Sequence, residues 1–384
     1  MRILHIVGTM SAEAGGPAEA VRMMVDFAPP DIASEIVTCD QPNQLTPPPC
    51  PVHALGNTRP GFYHSPNLLP WLRANRTRFD GVIVHGLWTY PSYAAWRALS
   101  GRVPYVVFAH GMLDPYFKRA FPLKHMKKWL YWLFPQFWIL RSAYRVLFTT
   151  AVERDLARKS FWLHRWTPLV VPLGAARFQP ATEASHEAFY ALCPEVRNRH
   201  YLLYLGRIDP KKGCDLLVQA FAQCAARDPE LHLVVAGPDP SRWKRELTTI
   251  AERAGISHRV HWPGMLKGPT KSAAFALCDA FILPSHQENF GIAVVEALAA
   301  GRPVLLSDKV NIAPEIAADG CGLLEPDTLE GTVQLIERWF DITGDQRAAM
   351  STEALRTFRT RYDMARNTAA ILRIFEDHNG GDVI

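Results

Sequence analysis

Short apolar runs alternate with amphipathic stretches along nearly the whole chain. This pattern predicts parallel strands joined by helices that cover both faces of a sheet. In the first half, runs rich in Val, Ile and Leu predict strands at 2–7, 35–38, 81–85, 104–109 and 145–150. Helical spacing between them predicts helices near 17–28, 91–100, 125–140 and 151–159. The rhythm breaks at Val171-Pro172-Leu173-Gly174 and through the polar stretch from Gln179 to Arg199. It restarts with strands near 201–206, 231–236, 259–261, 279–283 and 303–306. The expected organisation is an α/β chain of two doubly wound units, residues 1–178 and 179–362, followed by a segment 363–384 with a last helix at roughly 363–378. Ligands on open α/β sheets bind beyond the carboxyl ends of strands, so the strand-end loops are where chemistry is expected.

The loop after 279–283 reads Pro284-Ser285-His286-Gln287-Glu288-Asn289-Phe290-Gly291-Ile292-Ala293-Val294-Val295-Glu296-Ala297-Leu298-Ala299-Ala300-Gly301-Arg302-Pro303. It sets Glu288 and Glu296 eight residues apart, one before and one inside a helix that Gly301 and Pro303 terminate. The helix N-terminus attracts anions, so the backbone from Phe290 through Gly291, Ile292 and Ala293 to Val294 is suited to a diphosphate. Two carboxylates beside phosphate make sense when the ligand carries sugars on both sides, because carboxylates accept from hydroxyls and donate nothing.

A second loop supplies cations. Tyr201-Leu202-Leu203-Tyr204-Leu205-Gly206-Arg207-Ile208-Asp209-Pro210-Lys211-Lys212-Gly213 ends a strand with Arg207 and leads to Lys212 just before the next helix. A guanidinium fork and an ammonium point charge together stabilise a diphosphate leaving group. Taken alone, both read more simply as surface cations near a turn. Beside the glutamate loop, the functional reading is preferred.

These residues resemble the Glu-x7-Glu motif of family 4 retaining glycosyltransferases, and the resemblance extends to the Pro-Ser before the motif and the Glu-Ala-Leu-Ala-x-Gly-x-Pro-Val after it. The position that departs is Asn289, where glycine is usual; asparagine tolerates left-handed backbone, so the loop need not be broken, and Asn289 is a position where donor preference can differ. The resemblance implies a GT-B fold: two Rossmann-like domains facing across a cleft, with the C-terminal helix crossing back to the first. It assigns Glu288 to the donor sugar, Glu296 to the nucleotide ribose, and Arg207 and Lys212 to the phosphates, with Lys211 the less favoured lysine. It further implies that Gly16, in Gly15-Gly16-Pro17, belongs to a glycine-rich donor and acceptor loop. His110 would approach the donor sugar, for positioning and charge stabilisation and not as a general base. Met265, in His261-Trp262-Pro263-Gly264-Met265-Leu266, would lie in the segment that offers backbone to the nucleobase, uridine first and guanosine second. Strand-end His85 is read equally as a packed structural residue.

Composition narrows the remaining classes. A hydrophobic content of 48% with 21% charged residues excludes wholesale disorder, and 384 residues allow two cores. The formal net charge of +5 suits an anionic small ligand or a lipid surface and falls short of a nucleic-acid binder. Seven scattered cysteines without zinc spacing suggest a reducing compartment. The apolar start Met1-Arg2-Ile3-Leu4-His5-Ile6-Val7 is too short for a signal peptide and reads as a strand. No Asp-x-Asp is present, so no metal site is expected and no cofactor beyond the nucleotide-sugar donor. No second carboxylate pair stands out as a double-displacement nucleophile; the resemblance implies a front-face transfer with retention.

From Tyr116 to Arg145 the chain carries Lys118, Arg119, Lys124, Lys127, Lys128, Arg141 and Arg145 and no acid, interleaved with Trp129, Tyr131, Trp132, Phe134, Phe137 and Trp138. This favours an anionic membrane surface over a core helix with a basic edge. The segment His110-Gly111-Met112-Leu113-Asp114-Pro115 looks like bacterial polysaccharide-assembly members, with Asp114 a candidate acceptor contact. The expected function is therefore hexose transfer from a nucleotide sugar to a lipid-linked glycan acceptor in exopolysaccharide or lipopolysaccharide synthesis. The expected location is cytoplasmic, peripheral on the inner face of the membrane. Soluble acceptors remain an alternative within the class; a GT-B nucleotide-sugar epimerase and a non-catalytic sugar-nucleotide-binding protein are the alternatives outside it.

Overall fold

The computed structural model describes residues 1–11, 15–42, 48–56, 61–116, 118 and 122–380. The chain forms two compact units, one made of Met1–Leu173 with the chain from Met364 onward, the other of Gly174–Asp363.

The first unit is built on a seven-stranded sheet, β1 (Arg2–Val7), β2 (Ala33–Thr38), β3 (Val52–Ala54), β4 (Gly81–His85), β5 (Tyr105–Phe108), β6 (Arg145–Phe148) and β7 (Pro168–Val170). Its order is β3-β2-β1-β4-β5-β6-β7, and every pairing is parallel. Parallel strands covered on both faces read as continuous apolar runs. Accordingly Ile3, Ile6, Val82, Ile83, Val107 and Leu147 are fully buried. The sheet turns back between β1 and β4, its topological switch point.

The closing helices Met364–Leu372 and Ile374–Gly380 belong to this first unit. Asn367 Nδ2 donates to the Leu173 carbonyl at 2.9 Å. The Phe375 ring fills the space at Gly81, where any Cβ would meet it at 2.4 Å. The single helix expected at 363–378 is thus two, divided at Arg373.

The helix expected at 125–140 is also interrupted. Pro122–Tyr131 and Phe137–Arg141 are helical, while Phe134 between them is extended at φ −150°, ψ 111°. Pro135 lacks the amide that would continue the ladder. The interruption lets Trp132 turn fully inward, stacked on Phe161 and donating Nε1–H to the Trp162 carbonyl at 2.8 Å.

The second unit carries β8 (His200–Leu205), β9 (Leu231–Ala236), β10 (Val260–Gly264), β11 (Ala280–Leu283), β12 (Val304–Ser307) and β13 (Gly322–Glu325), in the order β10-β9-β8-β11-β12-β13 and again all parallel. Its switch point lies between β8 and β11. Strands β3, β7 and β13 were not expected from the sequence. They stand at the edges of the two sheets and exist because the neighbouring strand offers a ladder.

Candidate functional site

Both switch points carry the strand-end loops singled out in the sequence. In the second unit, the loop after β8 is fixed from within: Tyr204 donates its hydroxyl to the Arg207 carbonyl at 2.7 Å, and Asp209 accepts from the Lys211 amide at 2.9 Å. Gly213 then opens the helix Cys214–Cys224 with φ 66°. A Cβ there would lie 2.1 Å from the Pro284 carbonyl oxygen, so only glycine allows this turn to press against the loop after β11. The His286 amide donating to the Lys211 carbonyl at 2.9 Å ties the two loops together.

That contact brings Lys212 onto Glu288. The ammonium pairs with Glu288 Oε2, with side-chain exposures of 15% and 19%. The Glu288 backbone is held by the chain after β12, its amide donating to the Lys309 carbonyl and its carbonyl accepting from the Asn311 amide, both at 3.0 Å. Arg207, the other predicted cation, is exposed and makes no ion pair among the described residues.

Left-handed backbone in this loop falls at Gly291 (φ 76°) and not at Asn289, whose side chain instead accepts from Asn311 Nδ2 at 3.4 Å. Asn289 therefore does not supply the left-handed residue of this loop. Gly291 caps the helix Ile292–Ala299, its carbonyl accepting from the Val294 and Val295 amides at 2.9 and 3.3 Å. The preceding amides of Ile292 and Ala293 sit in the first turn, where no intrahelical acceptor exists. The Phe290 ring packs inward, edge-on to Tyr362 at 5.8 Å, which leaves its backbone on the loop side.

Glu296, one turn further on, pairs with Lys271 at 2.6 Å. Lys271 comes from the helix Gly268–Leu277 and had no sequence signal, because the pairing joins two helices 25 residues apart. Met265 follows β10 and is 59% exposed. Each glutamate thus has its own lysine, and a fixed array of cations, acceptors and helix-end amides surrounds the end of β8 and β11. Such an array can neutralise a diphosphate and take hydroxyl hydrogen bonds.

Elsewhere in this unit, Cys193, Glu195 and His261 bring ligand-capable atoms within 4.8 Å of one another.

In the first unit, His110 lies just past β5 with φ 48°, a strained value for a non-glycine residue of the kind found at functional sites. The next amide, of Gly111, donates to Glu153 Oε1 at 2.6 Å. The other Glu153 oxygen accepts from the Thr149 amide at 2.6 Å and its hydroxyl at 2.7 Å. Glu153 was missed in the sequence, although Thr150-x-x-Glu153 has the form of a capping box, and Thr150 does accept from the Glu153 amide. Its carboxylate serves neighbouring loops instead. Glu153→Ala leaves these buried donors without an acceptor and is expected to cost about 2–4 kcal/mol in urea unfolding. An unchanged midpoint would remove Glu153 from this role.

His85 is buried and hydrogen-bonded to His110, so the packed reading and the site reading of His85 meet in one residue. Gly16 starts the helix Gly16–Asp26 with open space where a Cβ would stand, and residues 12–14 of that loop lie outside the described ones. Asp114 accepts from the Tyr116 amide at 2.7 Å and so closes its own turn.

The 116–145 segment divides in character. Its second half contributes Trp132, Ile139 and Leu140 to the core. Its first half exposes Leu123, Met126 and Leu130, which recur at helical spacing, and beside Trp132 the chain also exposes Leu133 and Phe134. Trp162 and Leu163 are exposed as well, and Trp162 meets Trp129 edge-on at 5.5 Å. Arg119 and the side chain of Lys124 lie outside the described residues. No described helix is long and apolar enough to cross a membrane.

Residues 15–174 match the family model described as glycosyl transferase 4-like domain, and residues 194–357 match that of glycosyl transferases group 1. A D-inositol 3-phosphate glycosyltransferase of Actinosynnema mirum is 33% identical over 196 residues, covering 48% of this chain and 46% of that protein. The chain therefore spans less than half the length of that relative. Among solved structures, sucrose-phosphate synthase from Thermosynechococcus elongatus superposes with a TM-score of 0.77 at 18% identity, covering 100% of both chains. Anabaena HepE in complex with UDP and glucose gives 0.77 at 17%, covering 98% of this chain and 100% of that one. With one matching family model on each of its two parallel-sheet units, the chain belongs to the family 4 glycosyltransferases of the GT-B fold class.

Proposed function

We propose that the protein is a retaining, metal-independent hexosyltransferase that moves a sugar from a nucleotide donor, UDP-linked first and GDP-linked second, to a lipid-linked glycan. The observation that carries this reading is the Lys212–Glu288 pair beside the first turn of Ile292–Ala299. In the proposed reaction the bond between the sugar C1 and the diphosphate oxygen breaks, and a bond from C1 to the acceptor oxygen forms on the same face. The acceptor proton passes to the departing phosphate oxygen. Lys212, Arg207 and the helix-end amides of Ile292 and Ala293 stabilise the charge left on that diphosphate. Glu288 takes hydroxyls of the donor sugar and Glu296 those of the ribose, and His110 is the proposed histidine contact of the sugar.

The exposed apolar ridge Leu123, Met126, Leu130 beside Lys127, in a stretch of chain without acids, supports a lipid-linked acceptor reached from an anionic bilayer. We place the enzyme peripherally on the cytoplasmic face, in exopolysaccharide or lipopolysaccharide assembly. The uridine preference is supported by the UDP named with the HepE neighbour. The test is a binding panel of UDP-, GDP- and ADP-sugars, followed by transfer into membrane extracts. Sugar appearing in a lipid extract with retained anomeric configuration supports the reading. Interconversion of the donor without an acceptor would instead identify an epimerase, and binding without turnover a sugar-nucleotide-binding protein.

A further inference from the structure

Three histidines form a line across the switch point of the first sheet. His5 on β1 stands level with Ile83, two residues short of His85 at the end of β4. His85 stands level with Phe108, two residues short of His110. Each step to the next strand therefore advances two residues, which keeps all three side chains on one face of the sheet and moves them toward the loop end. His5 Nδ1 lies 3.2 Å from His85 Nε2, and His85 Nδ1 lies 3.1 Å from His110 Nε2. The rings of both successive pairs are near-parallel, 25° and 21° apart, with centroids 5.4 Å apart as an edge-to-edge N–H···N contact requires, and Phe108 stacks on His110 at 4.5 Å. His5 and His85 are buried, whereas His110 is partly exposed.

Burial lowers the pKa of His5 to about 4, and the partial burial of His110 lowers its pKa as well. His85 is held well below its ordinary value by burial and by its two histidine neighbours. All three rings are therefore neutral near pH 7, each with one N–H and one lone pair. Each contact between rings needs one proton, so only two arrangements keep both hydrogen bonds: every ring protonated on Nδ1, or every ring on Nε2. The far atom of the line, His5 Nε2, is buried and has no hydrogen-bond partner among the described residues. Protonation on Nε2 would orphan a buried donor there, and orphaned N–H groups are rarer in folded proteins than under-satisfied acceptors.

We infer that His5 and His85 are positioning residues that lock the tautomer of His110, so that His110 presents Nδ1–H as a hydrogen-bond donor to the bound sugar. The inference rests on the proposed sugar contact of His110; the ordering of the line itself does not depend on it.

The test begins without substrate. Long-range proton–nitrogen NMR spectra of the full chain, labelled with ¹⁵N-histidine, are expected to show His5, His85 and His110 all as Nδ1–H tautomers. Unlike tautomers among the three, or Nε2–H on His110, would overturn the inference. These spectra decide the tautomer even if no donor sugar is transferred. Two variants then separate proton order from packing. His85→Phe keeps a flat stacked ring and removes the relay, whereas His85→Gln keeps one acceptor and one donor in the same 1,3 relation as the imidazole nitrogens. In His85→Phe the His110 nitrogen signals are expected to average between tautomers and kcat to fall about tenfold with KM changed less than about twofold, the scale of one hydrogen bond. His85→Gln is expected to restore the His110 tautomer and most of kcat. If His85→Phe retains both while His85→Gln loses them, the line serves packing and the inference is wrong.

Discussion

Glu288→Ala is expected to lower transfer about 10²–10³-fold while leaving UDP affinity within about threefold of the parent, whereas Lys212→Ala loses both. The two side chains are largely buried and neutralise each other before any ligand arrives. Removing the carboxylate leaves the ammonium free, and the diphosphate meets an uncommitted cation, so nucleotide binding survives. What is lost is the acceptor for the sugar hydroxyls, and with it the alignment of C1. Removing the ammonium does the reverse: it strands a largely buried carboxylate beside the site of two phosphates. Breaking a buried pair from one side costs up to about 3–5 kcal/mol, and less here, where water still reaches both groups. Calorimetric titration with UDP, alongside initial rates and a thermal melt of each variant, checks the asymmetry. Equal loss of UDP affinity in the two variants would show that Glu288 and Lys212 act only as a structural pair. Full transfer activity in both would remove them from the site.

The asymmetry between the glutamates and their lysines also shows which parts of the site the sequence could display. Glu288, Gly291 and Glu296 lie on one continuous strand–loop–helix, so their spacing alone implies their geometry. Lys212 sits 76 residues away from Glu288, and the sequence could only propose their meeting from the chemistry a diphosphate needs. Lys271 had no such argument, since nothing about a lysine in the first turn of a helix says that it reaches a carboxylate on another. Glu153 was hidden for a different reason: its capping-box pattern explained it locally, and the donors it satisfies come from the His110 turn. In the fold, the buried strands β1, β4, β8, β9 and β11 were legible because burial on both faces imposes an apolar run. The short edge strands β3 and β7 were not, since a neighbour's free ladder, and not their own composition, makes them strands. Position Asn289 shows the limit of arguing from residue type. Its tolerance of left-handed backbone was a sound chemical fact, but the turn spends its left-handed residue at Gly291 two positions later.

Replacing Leu123, Met126 and Leu130 together by serine is expected to reduce binding to anionic vesicles at least about 10²-fold, with donor affinity unchanged. The three side chains are 75%, 66% and 77% exposed, so serine removes no packing and folding should be spared. Inserting each into a bilayer interface gains on the order of 1.5–3 kcal/mol at full burial, and partial insertion of three still gives several kcal/mol. Lys127 and its basic neighbours add about 1 kcal/mol each near an anionic surface, which is not enough alone for stable attachment but sets a preference for charged lipid. Two dependences follow: binding should fall with salt through the lysines and fall with the serine substitutions through the ridge. Co-sedimentation with vesicles containing phosphatidylserine, against neutral vesicles of the same size, measures both. Leu192→Ser is the control, because Leu192 is likewise an exposed leucine but stands on the other unit, in the helix Glu183–Leu192. Equal binding by the triple variant and the parent would rule out the ridge as a membrane contact. Loss of transfer into vesicle-borne acceptor together with loss of vesicle binding, at undiminished donor affinity, would place acceptor access and not donor chemistry on this helix.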